Sequence, residues 1–402
     1  MKFKKFLYKF NNRKKFLLII VLLILALLST FKFDTFVSAS NSSDNLSDLS
    51  AGVMGVLDGV NLDEMQNLVD ELGNNSIFNV SVRERIESIL KGEYSTNYSS
   101  MLSALLGVVF ENIKSVLPFI FTLVAIGLLS NVVGNLKSNT SGVENTTNFI
   151  FLSVAILVVL ISFKGILGTT NKTLNSILTQ MQIVFPILIT LLGTIGSVSS
   201  ISIYNPLVAI LSTLVSVVFD KFLYPLFIII FVLTILGNLT DTIKFDKLNG
   251  FLMSTFKWSI GIIFTLFTGF LSIQGITAGK FDSVSIKATK FAMKSYIPII
   301  GSYVSDGMDF FVLGATLVKN SIGLVGVLIL IISILSPIIM IIVYKLALQL
   351  SSGILQITGN SKICKFLGDC NKILILPIVL IIGVSFMYII TISLIMCTAN
   401  IL

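Results

Sequence analysis

Long apolar runs dominate this chain. Ile322 to Val343 is long enough to cross a bilayer, and so, with modest tilt or flanking residues, are Leu117–Val133, Phe149–Leu167 and Ile183–Val198. Trp258–Thr277 and Ile373–Cys397 follow the same rule, while Leu207–Leu236 is interrupted by Asp220-Lys221 and Pro225. That interrupted run reads as one broken span or as two partial ones. The pattern predicts an all-α, polytopic membrane body over residues 115–402, with about seven transmembrane helices plus one or two re-entrant or broken pieces. Leu117-Pro118, Phe185-Pro186 and Tyr224-Pro225 each open an apolar run. They read either as proline in the first turn of a helix or as marks of an internal repeat.

Ahead of this body the pattern changes twice. Residues 1–39 carry Lys2, Lys4, Lys5, Lys9, Arg13, Lys14 and Lys15 before the apolar run Phe16–Leu28, then Val37-Ser38-Ala39. That order predicts a secretory signal peptide cut after Ala39, with an uncleaved anchor as the alternative. Residues 40–114 then form an acidic, extracytoplasmic stretch of amphipathic helices. Leu62, Met65, Val69 and Leu72 recur at helical spacing after Asn61 and before Gly73; Val82, Ile86, Ile89 and Leu90 do so between a Ser81/Glu84 capping box and Gly92. Met101–Ile113 supplies a third such stretch.

Composition fits this organisation. The chain of 402 residues is 54% hydrophobic and 12% charged, against about 25% charged in soluble domains. Seven of its eight net positive charges lie in residues 1–39, so the basic balance belongs to the leader and does not point to nucleic acid. Counting crossings from an exported residue 40 puts Lys280, Lys287, Lys290 and Lys294 in the cytoplasm, which the positive-inside tendency favours.

Candidate chemistry is sparse. Histidine is absent, which excludes Ser-His and Cys-His catalysis within the chain. No P-loop, HExxH, CxxC or GxSxG pattern occurs, and no cofactor or metal site is expected. Cys364 and Cys370 share a predicted loop. Gly275 and Gly279 form a GxxxG in an apolar helix, a spacing that permits close helix packing.

The stretch Ser295–Leu350 draws attention because Pro298, Gly301 and Gly307 interrupt its helical pattern while Asp306, Asp309 and Lys319 put charge beside spanning segments. Bent backbone and charge at membrane depth survive only where protein or a water-filled cavity satisfies them. These six residues, with Asp220 and Lys221, are the structural or pore-lining candidates. Asp306 and Asp309 either hold a cation, line a pore or meet Lys319 or Lys345, or sit in a wetted loop at the interface.

IPIIGSYVSDGMDFFVLGATLVKNSIG, preceded by KATKFAMKSY and followed by the proline-broken span and Tyr344-Lys345, resembles the stage III sporulation protein AE family. The resemblance implies a non-enzymatic subunit of a mother-cell sporulation channel or secretion-like complex. It also implies other membrane subunits, a separate ATPase and a forespore membrane partner, and a place in the mother-cell membrane facing the forespore. From the residues alone, a stand-alone secondary transporter and a scaffold without a conduit remain open alternatives.

Overall fold

In the computed structural model the described residues are 52–71, 80–92, 98–136, 141–240, 244–296, 301–357 and 361–398, all within one unit, Leu49–Leu402. The predicted signal, its cleavage after Ala39, Gly73 and Pro298 lie outside them. Among the described residues there is helix and no strand.

Three short helices come first: α1 (52–58), α2 (Asp63–Glu71) and α3 (Val82–Leu90). The sequence caps them locally. Asn61 Oδ1 accepts the Asp63 amide at 2.9 Å, and the Ser81/Glu84 capping box forms in both directions. Gly92 ends α3 at φ +70°, a conformation that favours glycine. Val53, Leu57, Met65, Val69, Val82 and Ile86 bury their apolar face in the same core as the long helices. Arg83, exposed between Asp58 and Glu87, is held in its charged form, its pKa raised first by the Asp58 hydrogen bond.

The rest is a bundle of long helices: α4 (Tyr98–Leu136), α5 (Ser141–Thr194), α6 (Val198–Val218), α7 (Tyr224–Leu239), α8 (Asp246–Tyr296), α9 (Gly301–Ile357), α10 (Ser361–Ile373) and α11 (Ile375–Cys397). Six helical segments among the described residues are long and apolar enough to cross a membrane: Leu106–Val133, Thr146–Thr194, Thr213–Leu239, Asp246–Ile273, Gly307–Ile357 and Ser361–Cys397.

The structure departs from the sequence reading at several points. Phe149–Leu167 and Ile183–Val198 are not two spans. Except for the turn at its end, this region is the single helix α5, because the polar link 168–182 holds no proline and buries Leu174, Ile177 and Met181 on the bundle. Pro118 and Pro186 sit inside helices, not in first turns. The Asp220-Lys221 interruption is one wide π turn, Phe219–Leu223, that joins α6 to α7 without a break. Such a turn accommodates the amide that Pro225 lacks. Cys364 and Cys370 lie on α10, not in a loop, because Ile363, Phe366, Leu367 and Cys370 make a buried helical stripe; both thiols are free. Gly301 opens α9 and Gly307 lies within it, so neither breaks the helix. Met101–Ile113 is continuous with the first span in α4.

The fused α5 removes one crossing. With each candidate helix crossing once, Lys280, Lys287, Lys290 and Lys294 fall on the same side as residues 52–92, opposite to the side expected from seven spans. Packing agrees: a side chain added at Gly314 of α9 would meet Val53 of α1 at 3.3 Å, and Asp309, five residues earlier, pairs with Lys290.

Helix contacts place the elements in depth. Gln180 of α5 donates to Ser333 of α9 at 2.7 Å, Phe185 stacks on Tyr388 of α11, and Phe163 stacks on Phe231 of α7. Phe264 of α8 packs on Phe386. Many outward apolar side chains stay exposed, Trp258, Leu266 and Ile273 among them, as a lipid-facing surface requires.

Candidate functional site

The strongest concentration of buried polar chemistry lies where α5 turns into α6, beside α8, α9 and the end of α11. The turn is built by Gly196 at φ +87°. The Ser197 amide bonds to the Leu192 carbonyl at 2.9 Å and the Gly196 amide to the Gly193 carbonyl at 3.0 Å, closing α5. Ser197 precedes α6 but makes no side-chain cap.

Asp282 of α8 supplies that cap from across the bundle. Its Oδ1 accepts the Ser199 amide at 2.9 Å, and its Oδ2 accepts the Ser200 amide at 3.1 Å and the Ser200 hydroxyl. The carboxylate is 1% exposed. A helix N-terminus offers unpaired amides and a positive dipole end, so a buried anion there is satisfied without a cation.

Lys319 of α9 does the converse at the end of α11. It is fully buried, and its ammonium donates to the carbonyl of Thr398, the C-cap of α11. The Thr398 hydroxyl lies 3.1 Å from the hydroxyl of Tyr204 on α6. Tyr204 is outside the candidate spans, and burial raises its pKa, keeping it neutral. A Cβ at Gly275 would stand 2.8 Å from the Tyr204 oxygen, so glycine is what lets α6 approach α8. Asp282 and Lys319 thus close two helix ends, linked through Tyr204 and Thr398, at the level where α11 stops and the apolar part of α9 begins.

Close approach continues below. A Cβ at Gly326 would meet Val184 at 2.9 Å and the Tyr388 hydroxyl oxygen at 3.3 Å, and one at Gly323 would meet Met396. Lys319, Gly323 and Gly326 share one face of α9, the face against α11.

The sequence-predicted candidates therefore scatter. Lys319 belongs to this cluster; Asp309 is half-exposed and pairs with Lys290 on α8, not with Lys319 or Lys345. Lys345 bonds to the Asn371 carbonyl at 2.7 Å. Asp220 and Lys221 are exposed on the π turn. Gly307 faces open space, Gly301 opens α9, and the Asp306 side chain lies outside the described residues. Sequence reading missed Asp282, Tyr204 and Thr398. A usable signal existed: Asp282 falls seven residues after Gly275, on the same helix face, just as Gly326 falls seven after Lys319.

Among the described residues no group of three or more His, Cys, Asp or Glu could hold a metal. What this arrangement can do is fix helix ends and hold neutral and charged groups in register.

Comparison with known proteins gives the lineage. The family model described as stage III sporulation protein AE matches residues 80–399, a range that includes every residue of the cluster. A stage III sporulation protein AE of Bacillus subtilis (strain 168) is 23% identical over 322 residues, covering 80% of this chain and 81% of that protein. No solved structure matches. The resemblance carried by residues 287–345 thus extends along most of the chain, which belongs to the stage III sporulation protein AE family.

Proposed function

We propose that the chain is a non-enzymatic, multi-pass subunit of a mother-cell channel or secretion-like complex required for endospore development. It sits in the membrane facing the forespore with residues 40–114 extracytoplasmic, and it works with other membrane subunits, a separate ATPase and a forespore membrane partner. Family membership supports the sporulation role. The observation that favours a subunit over a self-sufficient transporter is where the buried charge goes. Asp282 and Lys319, the buried carboxylate and ammonium of the cluster, both close helix ends. A transporter's midplane site would instead aim such groups into a cavity for solute.

The test is recovery of the tagged protein from sporulating cells in mild detergent, read by mass spectrometry. Co-recovery of a cytoplasmic ATPase and membrane partners is expected. A partner-free protein that moves solute alone in liposomes would overturn the reading in favour of a permease.

A further inference from the structure

The exposed apolar stripe of α8 is longer than a membrane is thick. Large exposed apolar residues run from Leu248 to Phe291, roughly 65 Å at 1.5 Å per residue, whereas the hydrocarbon core is about 30 Å. Residues 280–294 hold four lysines and Asp282, a charge load that the hydrocarbon core does not take. Phe281, Val284 and Phe291, 64%, 67% and 72% exposed, lie among these charges, and Phe291 stands about 17 Å past Lys280 along a continuous helix. The headgroup layer adds only about 5–7 Å per side. The far end of the ridge, at Phe291, therefore stands clear of a bilayer whose hydrocarbon ends before Lys280.

Their surroundings indicate what does. Phe281, Val284, Ala288 and Phe291 share one helix face, and exposed Lys280 and Lys287 flank it on one side. Lys290, on the inner side, is already paired with Asp309. An apolar ridge edged with lysine fits an acidic helical surface, and this chain carries one. Asp63, Glu64, Asp70 and Glu71 are all exposed on α2, beside Asp58 of α1, which is already paired with Arg83. The acidic helices stand at the height of the basic ridge, since α1 packs beside Gly314 of α9, five residues from Asp309, the partner of Lys290. Copies in one membrane share orientation and height, so a lateral neighbour brings its acidic surface level with this ridge. We propose that the 280–291 ridge of α8 docks the acidic α1–α2 surface of a second copy, a head-to-tail contact that closes into a ring or extends as an array.

The test uses full-length protein purified in detergent and reconstituted in liposomes, with two differently tagged copies mixed. Co-capture of the two tags is expected. Lys280→Glu with Lys287→Glu weakens it about tenfold at low salt, and adding Asp63→Lys with Glu64→Lys to the same chain restores it. Because charge reversal can disturb folding, a photo-crosslinker at Phe291 in otherwise unaltered protein gives a second reading. Cross-links between isotopically distinct copies to residues 52–71 support the contact. Absence of co-capture, co-capture indifferent to the reversal, or cross-links confined to lipid or to another part of the chain would overturn it.

Discussion

The helices outside the candidate spans and those of the bundle solve the same problem by opposite means. The first turns of α2 and α3 are closed largely by neighbours in sequence: Asn61 caps Asp63, and Ser81 and Glu84 cap each other three residues apart, with Gln66 of α2 accepting the Val82 amide of α3 from only 16 residues away. The ends of α6 and α11 are closed by side chains far along the chain, Asp282 for α6 and Lys319 for α11, at separations of 82 and 79 residues. Where water is present a helix end tolerates a weak cap. Inside the bundle an unpaired amide or carbonyl costs far more, so the cap becomes a tertiary contact that ties two helices together.

The largest effect is therefore expected at the remote caps. Asp282→Ala leaves two amides and a hydroxyl without their acceptor and should lower stability by about 3 kcal/mol, read as thermal unfolding in detergent. Asp282→Asn keeps one acceptor oxygen and should lose about half of that. If both variants unfold like the parent, α6 does not depend on this carboxylate.

Next come the close approaches. Gly326→Leu drives a side chain into Val184 and Tyr388 and should cost about 2 kcal/mol. Gly165→Leu, where an added Cβ meets nothing within 4 Å, should be neutral within about 0.5 kcal/mol. Equal losses at the two positions would break the packing account.

A local cap should show a smaller, confined effect. Ser81→Ala is expected to cost about 1 kcal/mol, visible as faster amide exchange at the start of α3 and little change in the bundle. Smallest of all is Asp309→Asn, which removes an ion pair with the carboxylate half in water and should change stability by about 0.5 kcal/mol or less.

This contrast also explains what the sequence revealed. The capping box and the stop at Gly92 were legible because their partners lie within a few residues and follow known spacings. The membrane class and most spans were legible because apolar length alone decides them. Fusion of two expected spans into α5 was not, because the polar link 168–182 is held helical by packing, including the Gln180–Ser333 bond 153 residues apart. Of the candidate site only Lys319 was reached. Asp282 looks like an ordinary acid in a lysine-rich segment until α6 is placed against it, and Asp309 draws attention through its spacing from Asp306 yet pairs with α8.

Lys319 carries the most direct test of the claim that buried charge here holds helices and does not conduct or bind solute. Lys319→Met keeps the length and apolar stem, removes the charge and leaves the Thr398 carbonyl without its donor. The account predicts membrane-inserted protein destabilised by about 2 kcal/mol, with the yield of heat-resistant spores falling no further than the level of folded protein does. Folded protein at normal levels with spore formation abolished would contradict it, because the charge itself would then be doing the work.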